Sequence, residues 1–143
     1  MKKLLIISGI IILSLVVFLI FNFLYKPMDK KLQDKTIVKY FGNEARGDFN
    51  NDGKEDVVYL YTEDGGGSGT FYYVKAKLGT EDGFVETNGI LLGDRIAPQT
   101  TNFMEGKIIV NYADRAIDEP MTTKPSIGIS KYLKVVGLQL VEL

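Results

Sequence analysis

The sequence predicts an all-β domain, a small sandwich or partly open barrel of about six to eight strands, preceded by one N-terminal transmembrane helix and a short stem. Three observations carry this expectation. After Thr36 the chain is a series of short apolar runs separated by Gly, Asn, Asp and Pro. Several of those runs alternate at period two, and no long stretch after Thr36 has helical periodicity. Before Thr36 stands a single uncharged stretch of 22 residues, Leu4 to Tyr25. The expected organisation is an anchor over 1–25, a juxtamembrane stem over 26–35 and a soluble β domain over 36–143.

At about 1.5 Å per residue the apolar stretch reaches roughly 33 Å, enough to cross a hydrocarbon core of roughly 30 Å. Lysines flank it at Lys2, Lys3, Lys26, Lys30 and Lys31. A cleaved secretory signal normally has an apolar region of about 7 to 15 residues and a small-x-small exit, whereas this exit is Asn22-Phe23-Leu24-Tyr25-Lys26. No Cys follows that could take a lipid. The expectation is an uncleaved single-pass anchor holding the chain in the cell membrane through residues 4–25. The lysine counts on the two sides are similar, so charge alone leaves the orientation open.

Residues 26–35 read KPMDKKLQDK. Pro27 ends the apolar helix, and Asp29 could cap a short helix or the stretch could be a flexible linker. Removing these first 35 residues leaves 108 with 11 basic and 16 acidic side chains. An acidic domain with three arginines has no basic stripe to neutralise phosphates, which argues against nucleic acid. The chain has no Cys and no His, which excludes disulfide scaffolds, zinc sites of Cys/His type, thiol catalysis and His-dependent triads.

In order along the domain, Thr36 to Phe41 is a first run, ended by Gly42-Asn43 as turn residues. Val57 to Thr62 is apolar on both faces, as expected of a central strand. The glycine stretch Gly65 to Gly69 lacks the Lys-Ser/Thr ending of a phosphate loop and reads as a hairpin. Tyr72, Val74, Ala76 and Leu78 then form one face of a half-buried strand, with Tyr73, Lys75 and Lys77 opposite. Ile90 to Leu92 is a short run, and Ile108, Val110 and Tyr112 alternate in the same way. Ser130 to Val136 and Leu138 to Val141 form a closing hairpin around Gly137.

The strongest local signal is Asp48-Phe49-Asn50-Asn51-Asp52-Gly53-Lys54-Glu55-Asp56, with the pattern D-x-N-x-D-G-x-x-D. Oxygen-bearing side chains at positions 1, 3 and 5 of a tight loop converge, and Gly at position 6 permits the turn, so a hard cation can be surrounded. Ca²⁺ is the natural occupant. Asp48, Asn50, Asp52 and Asp56 would supply side-chain oxygens and Lys54 its carbonyl. Position 12 is Tyr59, so the loop is not an EF-hand. It runs into a strand, which suggests pinning a strand rather than moving helices. The same residues also favour a plain turn without an ion. Affinity on the order of 0.1 to 1 mM would suffice outside a cell, while the same site in a cytoplasm would stay largely empty; this tips the expected location to extracytoplasmic.

The segment GDFNNDGKEDVVYLY resembles the calcium-binding segment of integrin-type FG-GAP repeats, in which the loop leads into a strand in the same way. About 15 residues match, and the loop occurs once, so a propeller is not implied. Over a longer span, GDFNNDGKEDVVYL, GGSGTFYYV, LLGDRI, GKIIVNYADR, DEPM and SKYLKV in that order resemble a family of exported or membrane-anchored bacterial β-domain proteins. That resemblance covers most of 47–143 and implies export and a compact β fold, with no activity attached.

Asp94-Arg95 and Asp114-Arg115 recur just after apolar runs. Arg95 and Arg115 are candidates for a surface holding a carboxylate or sulfate through forked hydrogen bonds, against the alternative that each pair only fixes a strand end. Catalysis would have to run on carboxylates, with Asp94, Asp114, Asp118 or Glu119 as a glycosidase-like pair, and no spacing marks such a pair. The expectation is therefore not an enzyme but a membrane-anchored, extracytoplasmic binding or envelope-associated module with a structural Ca²⁺. A carboxylate-based hydrolase and a cytoplasm-facing membrane accessory protein without calcium are the rivals. Nothing in the sequence chooses between a protein and a glycan partner.

Overall fold

The computed structural model describes residues 36–143, within a compact unit running from Asp34 to Leu143. The transmembrane segment and the stem expected from the sequence lie outside the described residues. The described residues are all-β. Nine strands form two antiparallel sheets: β1 (Ile37–Gly47), β2 (Asp56–Asp64), β3 (Phe71–Gly79), β4 (Phe84–Glu86) and β5 (Ile90–Asp94) in the first, and β6 (Ala97–Met104), β7 (Lys107–Asp114), β8 (Ile127–Val136) and β9 (Gln139–Glu142) in the second. Each sheet is a meander of neighbours in sequence, except that β4 and β5 share one edge of β3.

The two sheets share one apolar core. Val58 and Leu60 on β2, Val74, Ala76 and Leu78 on β3, and Leu92 on β5 supply one side. Ile108, Val110 and Tyr112 on β7, Leu133 on β8 and Leu140 on β9 supply the other. Period-two alternation places these residues inward, as their apolar spacing in the sequence requires. Asn88, between β4 and β5, crosses to the second sheet, donating to the Leu140 carbonyl at 3.1 Å and accepting from its N–H at 2.7 Å.

The register defines two ends. At the entry end, where the described chain begins, Ile37 pairs with Asp64, Glu63 with Phe71, Phe71 with Asp94, and Asp114 with Ile127. At the loop end Gly47 pairs with Asp56, Gly79 with Phe84 and Met104 with Lys107.

The outer faces of the sheets differ. On the first, Tyr61 and Tyr73 stack at 5.2 Å between ring centroids, with Lys75 5.1 Å from the Tyr61 centroid and Lys77 5.1 Å from that of Tyr59. The Tyr59 hydroxyl donates to Glu86, which also pairs with Lys75. Burial first, then Glu86, pushes the Tyr59 phenol well above its ordinary value. This explains why β2 reads as apolar on both faces: its outer tyrosines are covered by one another and by the stems of lysines. On the second sheet the outer row is polar, Asn111 donating to Thr100 at 2.9 Å and accepting from Ser130 at 2.6 Å.

One expectation changes, and one strand was not expected. Gly42-Asn43 does not end the first strand. Gly42 at φ +98° and Asn43 at +52° form a bulge that shifts the register against β2, and β1 continues to Gly47. β6 lacks apolar alternation, since Thr100 and Asn102 face outward, Thr101 and Phe103 face the core side, and a register shift between Pro98 and Thr100 interrupts the pattern.

Candidate functional site

The loop joining β1 to β2 carries the expected motif. Its second residue, Phe49, is buried and meets Phe103 of β6 at 4.8 Å between ring centroids. The preceding Gly47 is required by that contact, because a Cβ there would lie 2.5 Å from the Phe103 ring. The loop is therefore pinned by an aromatic side chain from below, which leaves Asp48, Asn50 and Asp52 on the side away from the core.

These three side chains turn toward the loop interior. Asp48 Oδ1 and Asn50 Oδ1 accept from the same Asp52 N–H, at 3.0 and 3.1 Å, and Asp48 Oδ2 accepts from the Gly53 N–H at 2.8 Å. Asp52 accepts from the Lys54 N–H at 2.9 Å and from the Asn50 amide at 3.1 Å. Asn51 at φ +61° and Gly53 at +82° make the two left-handed steps that close the turn. The Lys54 N–H, then the Asn50 amide, hold the Asp52 carboxyl below its ordinary range, with the Lys54 charge adding to the effect.

No ion pair reaches Asp48, Asp52 or Asp56 among the described residues. Arg46, the nearest arginine in sequence, pairs instead with Glu55 at 2.9 Å and Glu44 at 3.4 Å. Among the described residues no three acidic side chains gather in a metal-holding group. The loop offers two carboxylates, an amide and a carbonyl, all presenting hard oxygen donors.

Asp56, also expected as a ligand, is engaged by backbone groups. It is fully buried, and its oxygens accept from the N–H of Phe49 at 2.7 Å and of Gly79 at 2.8 Å. It ties the loop to the end of β3. Gly79 has no room for a side chain, since a Cβ would come within 2.6 Å of the Glu55 carbonyl oxygen. The sequence did not show this staple because its partner Gly79 lies 23 residues away.

The arginine corner lies at the entry end. Arg115, its side chain 8% exposed, donates to the carbonyls of Thr123, Asp94 (3.3 Å) and Arg95 (3.0 Å). It fastens the loop after β7 to the β5–β6 turn. Arg95, at φ +49° and about a third exposed, folds back on its neighbour Asp94 at 3.1 Å. Asp94 also accepts from the Thr70 N–H at 2.8 Å. Asp114 accepts from the Arg115 N–H, and Glu119 caps the Ala116 N–H, each at 2.8 Å. The donors of Arg115 are thus engaged by carbonyls, and of the two arginines proposed for a binding surface Arg95 is the more accessible. No family model matches this chain, and searches of curated proteins and of solved structures also found no match.

Proposed function

We propose that this chain is a membrane-anchored, extracytoplasmic β-sandwich whose 48–56 loop binds one Ca²⁺ for structural reasons, and that it serves as a binding or envelope-associated module rather than an enzyme. The observation that supports the reading is that Asp48 and Asn50 oxygens meet at the Asp52 N–H, with the Asp52 carboxylate in the same turn and no ion pair to Asp48 or Asp52 among the described residues. Asp48, Asn50 and Asp52, with the Lys54 carbonyl, would hold the ion, and two carboxylates would match its charge. A bound Ca²⁺ supplies charge neutralisation and a cross-link within the turn. The protein's own residues do the rest: Phe49 and Asp56 hold the loop against the core, and β2 leads directly out of it into the first sheet.

Calorimetric titration of the domain with Ca²⁺ and with Mg²⁺ tests this. The expected result is one Ca²⁺ site with a dissociation constant on the order of 0.1 to 1 mM, weak or absent for Mg²⁺, and lost in Asp52→Ala. A second reading is favoured by the loop's own hydrogen bonds, which satisfy its carboxylates through backbone N–H groups. In that reading the motif is a self-contained turn, and titration gives no heat with either ion. Location is tested separately: on intact cells, external protease should remove the 36–143 domain if it is extracytoplasmic and spare it if it faces the cytoplasm.

A further inference from the structure

We propose that the entry end of the β domain sits in the lipid interface of the membrane that holds the chain, with the first half of β1 as its main contact; this rests on the anchored reading above. Exposed apolar side chains occur at both ends, but in different patterns. At the loop end they come in ones and twos on separate hairpins, Phe84 with Val85, Met104 alone, and Val136 with Leu138. At the entry end Ile37, Val38, Tyr40 and Phe41 are all exposed within five consecutive residues.

That run lies on both faces of a strand that pairs only with β2. Val38 and Tyr40 share one face, Ile37 and Phe41 the other, so folding one sheet over the other cannot cover them all. An edge strand so apolar is ordinarily blunted by charges or covered, and here Lys39 is the one charged residue within the run. The same end carries Ile117, fully exposed in the loop fastened by Arg115, and Ile127 at the start of β8.

Chain length says what covers it. Only 11 residues separate Tyr25, the end of the apolar stretch, from Ile37, the start of β1. At full extension they span roughly 40 Å, and any relaxation of that segment brings the start of β1 closer to the lipid. The loop end lies a further strand length away, roughly 35 Å along β1. Glu63, Asp64, Asp118 and Glu119 at the entry end keep the seating shallow, among headgroups rather than acyl chains.

The chain has no Trp, so an introduced one reports alone. Full-length Val38→Trp, Ile117→Trp and Leu138→Trp variants would be reconstituted in phosphatidylcholine vesicles with and without brominated lipid. Val38→Trp and Ile117→Trp should lose at least about half of their fluorescence to the bromine, and Leu138→Trp, equally exposed at the far end, should lose none. Flotation of the same vesicles separates the two claims. A chain that does not float with them overturns the anchored reading and this inference together. A chain that floats with Val38→Trp and Ile117→Trp unquenched overturns the inference alone. Unquenched Val38→Trp that is nevertheless shielded from iodide, in chains that cross-link as pairs, assigns the strand to a second copy and also overturns it.

Discussion

At the loop end Asp48 and Asp52 meet backbone N–H groups and the Asn50 amide, and no basic side chain among the described residues forms an ion pair with them. At the entry end Asp94 and Asp114 lie beside Arg95 and Arg115, and the Arg115 guanidinium is itself spent on three carbonyls. The two regions hold similar numbers of carboxylates on similar turns. They differ in whether the chain supplies its own cations. A corner that neutralises its charges internally is finished as folded, whereas two carboxylates held only by N–H and amide donors keep oxygen lone pairs that an external cation can share. Asp56 sharpens the contrast, because it sits in the motif yet resembles the corner: buried and bonded to backbone.

The largest expected effect comes from Asp56→Ala. It strands the Phe49 and Gly79 N–H groups in the interior and should cost about 2–5 kcal/mol in denaturant unfolding, with the same loss in EDTA and in Ca²⁺. A loss seen only in Ca²⁺ would make Asp56 a ligand and erase its distinction from Asp48 and Asp52. Arg115→Met follows. Removing a buried donor from the Asp94, Arg95 and Thr123 carbonyls should cost about 2–3 kcal/mol, and 0.5 M NaCl should leave most of that difference intact, unlike a screened surface pair. Gly79→Ala presses a methyl on the Glu55 carbonyl and should cost about 1–3 kcal/mol; a neutral result would show that the loop packs on β3 less tightly than described.

Smaller effects belong to the exposed carboxylates. Asp52→Ala should melt close to the parent protein in EDTA and fall behind it only as Ca²⁺ is added. Acid titration follows from the Asp52 carboxyl being held low by the Lys54 N–H and the Asn50 amide. A group depressed in the folded state stabilises above its unfolded pKa, and that contribution disappears as the pH falls through the lowered value. The Ca²⁺ response should therefore be full near neutrality and fade below about pH 4, which melting curves at stepped pH would reveal. A response that persists undiminished at pH 3 would place the ion elsewhere.

Much of the fold was legible in residues whose period matches their burial. Tyr72 to Leu78, Ile108 to Tyr112 and the hairpin at Gly137 read as strands because alternate side chains enter the core. β6 was hidden because hydrogen bonds among Thr100, Asn111 and Ser130, not apolar contacts, finish its outer face. The bulge at Gly42-Asn43 looked like a turn because both uses need positive φ. In the candidate site, the spacing of Asp48, Asn50 and Asp52 marked a tight turn, and the three side chains bond within it. Nothing local distinguished Asp56, whose partners include Gly79, 23 residues away, or announced that Phe49 would anchor the loop on Phe103 of the other sheet. The arginine pairs were visible as a repeat, but their division into a buried fastener and a more accessible neighbour depends on carbonyls that sequence does not locate.

Asp48 and Asp52 in the 48–56 loop have no ion-pair partner among the described residues, so a bound Ca²⁺ should stabilise the folded domain. Thermal unfolding of residues 34–143 in EDTA and in a Ca²⁺ series, with Mg²⁺ as the control, tests it most directly. An ion that binds only the folded state raises its stability by mass action, so Ca²⁺ should raise the melting temperature by roughly 5 °C at ten times its dissociation constant. Mg²⁺ should do little, and Asp52→Ala should abolish the rise. Identical melting in EDTA, Ca²⁺ and Mg²⁺ would contradict the account and leave the loop a hydrogen-bonded turn.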